Sequence, residues 1–154
     1  MIMGSNIVVE QTLIRATKER PNFTVIVVDT CPNFSGRDVA TRLSHHGIQC
    51  KYALIQGISA LITHTTKVFL GVSYVLGNGG VVSDIGTSMV AYIASQHKVP
   101  VIAFCESYKF TQRVNLDQIK KNEVGDPREI THNYLLPKSW SLADRDSMLR
   151  QENL

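Results

Sequence analysis

The stretch FTVIVVD, residues 23–29, constrains this chain more than any other. It is almost continuously apolar and rich in β-branched side chains, the pattern of a strand covered on both faces. Three further runs share its character: CKYALI at 50–55, VFLGVSYVL at 68–76 and VPVIAFC at 99–105. Segments of helical period lie between them. Residues 6–20, NIVVEQTLIRATKER, put Val9, Leu13 and Ala16 on one face, with Glu10, Arg15 and Lys18 elsewhere. Ser35 is placed to cap a helix through Val39, Ala40 and Leu43, with Asp38 as its capping-box partner and Gly47 as a left-handed stop. ISALITHTT at 58–66 predicts a short helix, and TSMVAYIASQHK at 87–98 one whose Met89, Val90, Ile93 and Ala94 face inward. Strands alternating with helices demand right-handed parallel crossovers. The expected fold class is α/β, a Rossmann-like parallel sheet with helices on both faces.

A chain of 154 residues with 44% hydrophobic and 19% charged content suits one domain with a sizeable core. Its 16 Lys and Arg exceed its 13 Asp and Glu by a net charge of +3, scattered without a basic block, so direct nucleic-acid binding is not expected. Cys31, Cys50 and Cys105 form no CxxC pair and read as reduced thiols packed in or beside the strands. His45, His46, His64, His97 and His132 have no metal-ligand spacing with Cys, Asp or Glu. Neither a metal nor a cofactor is expected. No apolar run approaches the roughly 18 residues of a membrane span, and no signal core follows the amino terminus, so the expected location is cytoplasmic, with no membrane contact. Beyond Phe110 the pattern dissolves into the polar LDQIKKNEVGDPREI, a local apolar cluster LLPKSW and a charged helical candidate LADRDSMLRQENL.

In open parallel sheets ligands bind beyond the carboxyl ends of the strands. That rule gathers Asp29 and Thr30 after the first strand, Gln56 after the second, and Ser73, Asn78, Gly79, Gly80, Ser83 and Asp84 after the third. The sequence GVSYVLGNGGVVSDIGT, 71–87, reads as strand end, glycine turn and helix entry, the parts of a phosphate cradle. It is not GxGxxG, and Gly-Asn-Gly-Gly equally suits a plain tight turn. Asp29 either grips a ribose hydroxyl or braces a neighbouring loop. Asp84 repels a phosphate unless a cation offsets it, and the turn supplies none. The segments ISALITHTTKVFLGV and YVLGNGGVV hold more apolar residues than their own core requires, which points to a pairing face that includes the helix at 58–66.

Together VVDTCPNFSGR, YALIQGISALI, VFLGVSYVLGNGGVVSDIGT and FCESYKFTQRV, in that order from about Ile2 to Pro127, resemble the carboxyl-terminal domain shared by the alpha, beta and delta subunits of eukaryotic translation initiation factor two-B. ESYKF and the Asn-Glu and Asp-Pro that follow are most similar to the delta type. Methylthioribose-phosphate isomerase and ribose-bisphosphate isomerase belong to the same family. The resemblance implies a regulatory, scaffolding role in translation initiation, with the beta subunit and initiation factor two as partners and self-pairing as a fallback. Sugar-phosphate or nucleotide binding is the alternative. The isomerases carry a catalytic Cys and Asp where Gly4 and Ser73 stand here, and an Asn and Lys where Ser83 and Asp84 stand, which implies a vestigial rim and no enzyme. Family members also have a helical domain before this one and further residues after the sheet. The expectation is therefore an excerpt: a Rossmann-like domain over 1–128 and a shortened polar tail over 129–154.

Overall fold

The computed structural model describes residues 1–19, 22–31 and 33–115. The chain begins with strand β1 (Ile2–Met3), helix α1 (Ile7–Glu19), strand β2 (Thr24–Asp29), helix α2 (Ser35–His45) and strand β3 (Gln49–Leu54). A helical turn, Ile55–Gly57, leads into α3 (Ile58–Leu61), which ends in a second tight turn at Ile62–His64. Strand β4 (Val68–Gly71), the short strands β5 (Tyr74–Val75) and β6 (Val81–Val82), helix α4 (Thr87–Gln96) and strand β7 (Val101–Phe104) complete the described elements. Five strands form one sheet in the order β3-β2-β1-β4-β7, parallel throughout, while β5 and β6 pair antiparallel as a separate hairpin.

Both faces of the sheet are covered because successive residues of β2 point opposite ways. Val25 and Val27 join Ile2, Val9, Leu13, Val39 and Leu43 under α1 and α2. Ile26 and Val28 join Met3, Ile58, Ile62, Val68, Leu70, Val90 and Ala94 under α3 and α4. Strand β1 lies in the middle, with Ile2 opposite both Val27 and Phe69. The apolar segment at 58–72 is consumed by this core, since Ile58, Ile62, Val68, Leu70 and Val72 are all buried. Of the expected 58–66 helix only Ile58–Leu61 is α-helical before the turn at Ile62–His64; Ile58 and Ile62 belong to the monomer's core, and Ala60 is exposed.

Other local expectations change as well. Ser35 is the first residue of α2 rather than its cap; left-handed Phe34 precedes it, and no side-chain hydrogen bond caps the helix. Gly47 does stop that helix, at φ +77°, with Ile48 N–H returning to the Leu43 carbonyl at 3.2 Å. The third strand ends at Gly71, not Leu76, because Ser73 N–H turns to the Val82 carbonyl at 2.9 Å and starts the hairpin. Met89 is 53% exposed, while its neighbour Val90 is buried. Cys31 is exposed rather than packed. The expected polar segment from 116 onward, the domain limit at 128, the tail at 129–154 and His132 lie outside the described residues.

Glu10 is not on the solvent side of α1. It is buried, and Arg42 of α2 donates to its two carboxylate oxygens at 2.7 and 2.8 Å. This fork ties α1 to α2 above their shared core. Arg42→Ala strands a buried carboxylate and is expected to cost about 2 kcal/mol, below the cost for a fully buried pair because half of the Arg42 side chain remains in water. The hydrogen bond from Arg42 holds the Glu10 carboxyl below its usual range, against an opposing push from burial. A depressed folded value contributes stability above the unfolded pKa of about 4.3, and that stability is lost as pH falls through the folded value. Urea unfolding should therefore separate wild type from variant at about pH 7 and bring them together near pH 3; equal midpoints at neutral pH would refute the linkage.

Candidate functional site

Strand order reverses between β1 and β4, which places a crevice beyond their carboxyl ends. A polar pocket occupies it, with Ser5, Asn6, Gly71, Ser73, Asp84 and Lys109 among its lining residues. Each arrives from a different connection. Ser5 and Asn6 follow β1, and the Asn6 side-chain carbonyl accepts the N–H groups of Val8 and Val9 at 3.0 and 3.2 Å, capping α1. Ser73 follows β4. Ser83, another lining residue, donates to the Gly71 carbonyl at 2.6 Å and lies 3.3 Å from the Thr87 hydroxyl. Asp84 stands just before α4, and its carbonyl accepts Thr87 N–H at 3.1 Å.

The glycine that serves this helix entry is Gly86, left-handed at φ +93°, where a side chain would strike Ile55, Met3 and Thr30. Gly79 and Gly80 do not open α4. With Asn78 they form the tip of the β5–β6 hairpin, where Leu76 N–H reaches the Gly80 carbonyl at 2.8 Å and Asn78 Oδ1 accepts Gly80 N–H at 3.1 Å. The sequence GVSYVLGNGGVVSDIGT is thus strand, hairpin and helix entry, with the glycine turn outside the pocket lining.

Asp29 is 1% exposed, accepts Thr30 N–H at 3.0 Å and the Tyr52 hydroxyl at 2.9 Å, and lies against Gly36 in the first turn of α2. Burial, then the Asp29 carboxylate, push the Tyr52 phenol above its ordinary value. The geometry is that of a brace between β2, β3 and α2. Thr30 touches the Gly86 turn, and Gln56 is exposed on the helical turn after β3; neither lines the pocket. Of the nine rim residues expected, Ser73, Ser83 and Asp84 converge on it.

A cation is present, and it comes from outside the glycine turn, which supplies none. Lys109, from the helical turn Ser107–Lys109 after β7, lines the pocket, donates to the Val72 carbonyl at 3.2 Å and holds its Nζ 2.7 Å from Glu106 Oε2. That pairing raises the Lys109 pKa and lowers that of Glu106. Lys109 belongs to ESYKF, which follows β7, one strand beyond those whose ends gather the expected rim. Gly4 places its Cα beside the same pocket: a Cβ there would lie 3.6 Å from Asp84 Oδ2 and 3.7 Å from Ser35 Oγ. Gly4, Ser73 and Asp84 therefore share one neighbourhood and offer no imidazole or thiol there. Among the described residues no group of His, Cys, Asp and Glu could hold a metal ion, and no helix is long and apolar enough to cross a membrane.

A doubly wound parallel sheet with a polar crevice at its switch point defines a Rossmann-type domain. The chain belongs to the Initiation factor 2 subunit family (IF-2B), whose model matches residues 1–135. It is 40% identical over 130 residues to translation initiation factor eIF2B subunit delta of Dictyostelium discoideum, covering 84% of this chain and 21% of that protein. Against the delta subunit of Schizosaccharomyces pombe it is 43% identical over 116 residues, 75% of this chain and 25% of that one. Ribose 1,5-bisphosphate isomerase of Pyrococcus furiosus is 34% identical over 106 residues, 69% of this chain and 33% of that protein. The crystal structure of the tetrameric eIF2B-beta2-delta2 complex from C. thermophilum superposes with a TM-score of 0.73 at 33% identity, over 77% of this chain and 39% of the matched one. The chain thus spans about a quarter or less of the length of the delta subunits it matches.

Proposed function

We propose that this chain is a delta-type regulatory and scaffolding module of the guanine-nucleotide exchange factor for initiation factor two, acting in translation initiation in the cytoplasm. In this reading it binds related subunits, the beta subunit first, and through them initiation factor two. The Rossmann-type module runs through residue 128 and a polar tail follows. The identity to delta subunits, 40% and 43%, carries the proposal. The pocket's chemistry is consistent with it. A proton-transferring isomerase needs a positioned acid and base, each contributing roughly 100- to 10,000-fold. Gly4 has no side chain, and Ser73 is joined in the lining by no imidazole or thiol; the carboxylate there is Asp84, and the amine, Lys109, is already paired with Glu106.

Two measurements test the proposal. The protein purified from its own cells should bring down a beta-type subunit, and recovery without any exchange-factor subunit would sink the reading. Assayed with ribose 1,5-bisphosphate or methylthioribose 1-phosphate, it should show no turnover above buffer; turnover abolished by Ser73→Phe would establish an enzyme instead.

A second reading, binding of a sugar phosphate or nucleotide in the pocket, is favoured by Lys109. Its ammonium already faces Glu106, however, and Asp84 adds a carboxylate to the same lining. Calorimetry with AMP or ribose phosphate should therefore detect weak binding at most. A micromolar dissociation constant that weakens in Ser73→Phe would promote this second reading.

A further inference from the structure

Asn78 is the one asparagine of the chain that is followed by glycine; every other precedes a bulkier residue. Asn78 and Gly79 are exposed at the tip of the β5–β6 hairpin, and the space around Gly79 is open for 4 Å from where a Cβ would stand, so nothing hinders its backbone nitrogen. The turn itself demands this pair. Gly79 N–H closes on the Leu76 carbonyl at 2.9 Å, Leu76 N–H reaches the Gly80 carbonyl at 2.8 Å, and Gly79 sits at φ +80°, the left-handed position that such a hairpin gives to glycine. Asn78 Oδ1 already accepts the Gly80 N–H at 3.1 Å. That donor lies where negative charge develops when a nucleophile adds to Asn78 Cγ.

We propose that Asn78 is a site of spontaneous deamidation, gated by the hairpin, which converts it to isoaspartate or aspartate. Gly79 N gives its proton to solvent hydroxide and attacks Asn78 Cγ; the Cγ–Nδ2 bond breaks, and ammonia leaves with a proton returned by water, closing a succinimide ring. Water then adds to a ring carbonyl. Addition at the backbone carbonyl leaves isoaspartate and addition at the side-chain carbonyl leaves aspartate, so the whole step consumes water and releases ammonia. Leu76 sets the rate, because its carbonyl holds the same N–H that must be lost. An exposed turn opens at little cost in free energy. The product changes what the tip can bind: Asn78 Nδ2 lies 3.5 Å from the Asn115 carbonyl, and a carboxylate sets oxygen against oxygen there. Isoaspartate also adds a methylene to the main chain, which puts Leu76 and Gly80 out of register.

The experiment ages the full chain at neutral and at mildly alkaline pH, digests it, and reads its peptides by mass and by an isoaspartate-specific methyltransferase. The Asn78 peptide should trade its side-chain NH2 for OH at a rate proportional to hydroxide and take up the methyl label, while peptides holding the other asparagines stay intact. Guanidinium chloride frees the Gly79 N–H and should speed the conversion several-fold. In the aged fraction the Leu76 and Gly79 amides should exchange with deuterium faster than in fresh protein. Asn78→Gln, whose ring would be larger and slower to close, should keep the wild-type circular dichroism and lose the signal. An Asn78 peptide that stays intact at alkaline pH, conversion spread over the other asparagines, a signal that survives Asn78→Gln, a native rate equal to that in denaturant, or unchanged amide exchange would each overturn the proposal. The wild-type measurements decide it even if the variant fails to fold.

Discussion

Gly71→Ala is expected to destabilise the protein by about 2–4 kcal/mol, although it adds one methyl group. A Cβ at Gly71 would occupy the space of the Asn6 side chain. Asn6 has no slack, because its carbonyl oxygen caps α1 through the N–H groups of Val8 and Val9. The cost combines a lost cap, about 1 kcal/mol, with overpacking of about 1–3 kcal/mol. The unfolding temperature should fall by roughly 5–15 °C for a chain of this size. The cause is separable in a double-mutant cycle. Glycine is a fair cap, so Asn6→Gly alone should cost a few tenths of a kcal/mol, and Asn6→Gly with Gly71→Ala should recover most of the loss. A single Gly71→Ala variant as stable as wild type, or a double variant no better than the single, would show that the close approach of β4 to α1 is not what limits this position.

Met89→Arg combined with Tyr92→Arg is expected to weaken pairing with a beta-type subunit by about 100- to 1,000-fold while leaving the fold intact. Met89 and Tyr92, 53% and 66% exposed, form an apolar stripe on the outer side of α4, whose inner side is Val90 and Ala94, and Ile85, 77% exposed, lies in the turn just before the helix. A stripe of this kind on a helix already packed on its other face marks a protein contact. Aromatic anchors at such contacts typically contribute about 2 kcal/mol or more each. Exposed substitutions usually change stability by no more than about 0.5 kcal/mol, so the two effects separate cleanly. Titration of the purified subunits would measure the loss. Undiminished affinity would remove α4 from the contact, and a drop in unfolding temperature of the same size would reassign the residues to the core.

The doubly wound sheet was legible because a parallel strand covered on both faces leaves little freedom in composition, as FTVIVVD shows. Strand β1 was not legible. Its two residues, Ile2 and Met3, are too few to display a period, and only their pairing with Val27, Val28 and Phe69 reveals a central strand. The break in VFLGVSYVL was hidden for the opposite reason: a buried run and a hairpin arm look alike when both are β-branched and aromatic. Met89 sits near the boundary of the inward arc of α4, where an error of one position reverses its side. Glu10 reads as a surface residue until Arg42, 32 positions away, is seen to meet it. At the pocket, Ser73, Ser83 and Asp84 were found from strand ends alone. Lys109 and Asn6 were missed, because what brings them there is tertiary: a turn folding back to the Val72 carbonyl, and a cap packed on a glycine.

The residues after β7 share backbone with the hairpin. Thr111 N–H reaches the Val75 carbonyl and Gly77 N–H the Arg113 carbonyl, both at 2.9 Å, and Lys109 holds the Val72 carbonyl between hairpin and sheet. The segment from Lys109 to Arg113 therefore bridges the pocket wall and the hairpin tip, so the hairpin, with Tyr74 exposed on it, and the crevice belong to one hydrogen-bonded unit rather than two independent surfaces.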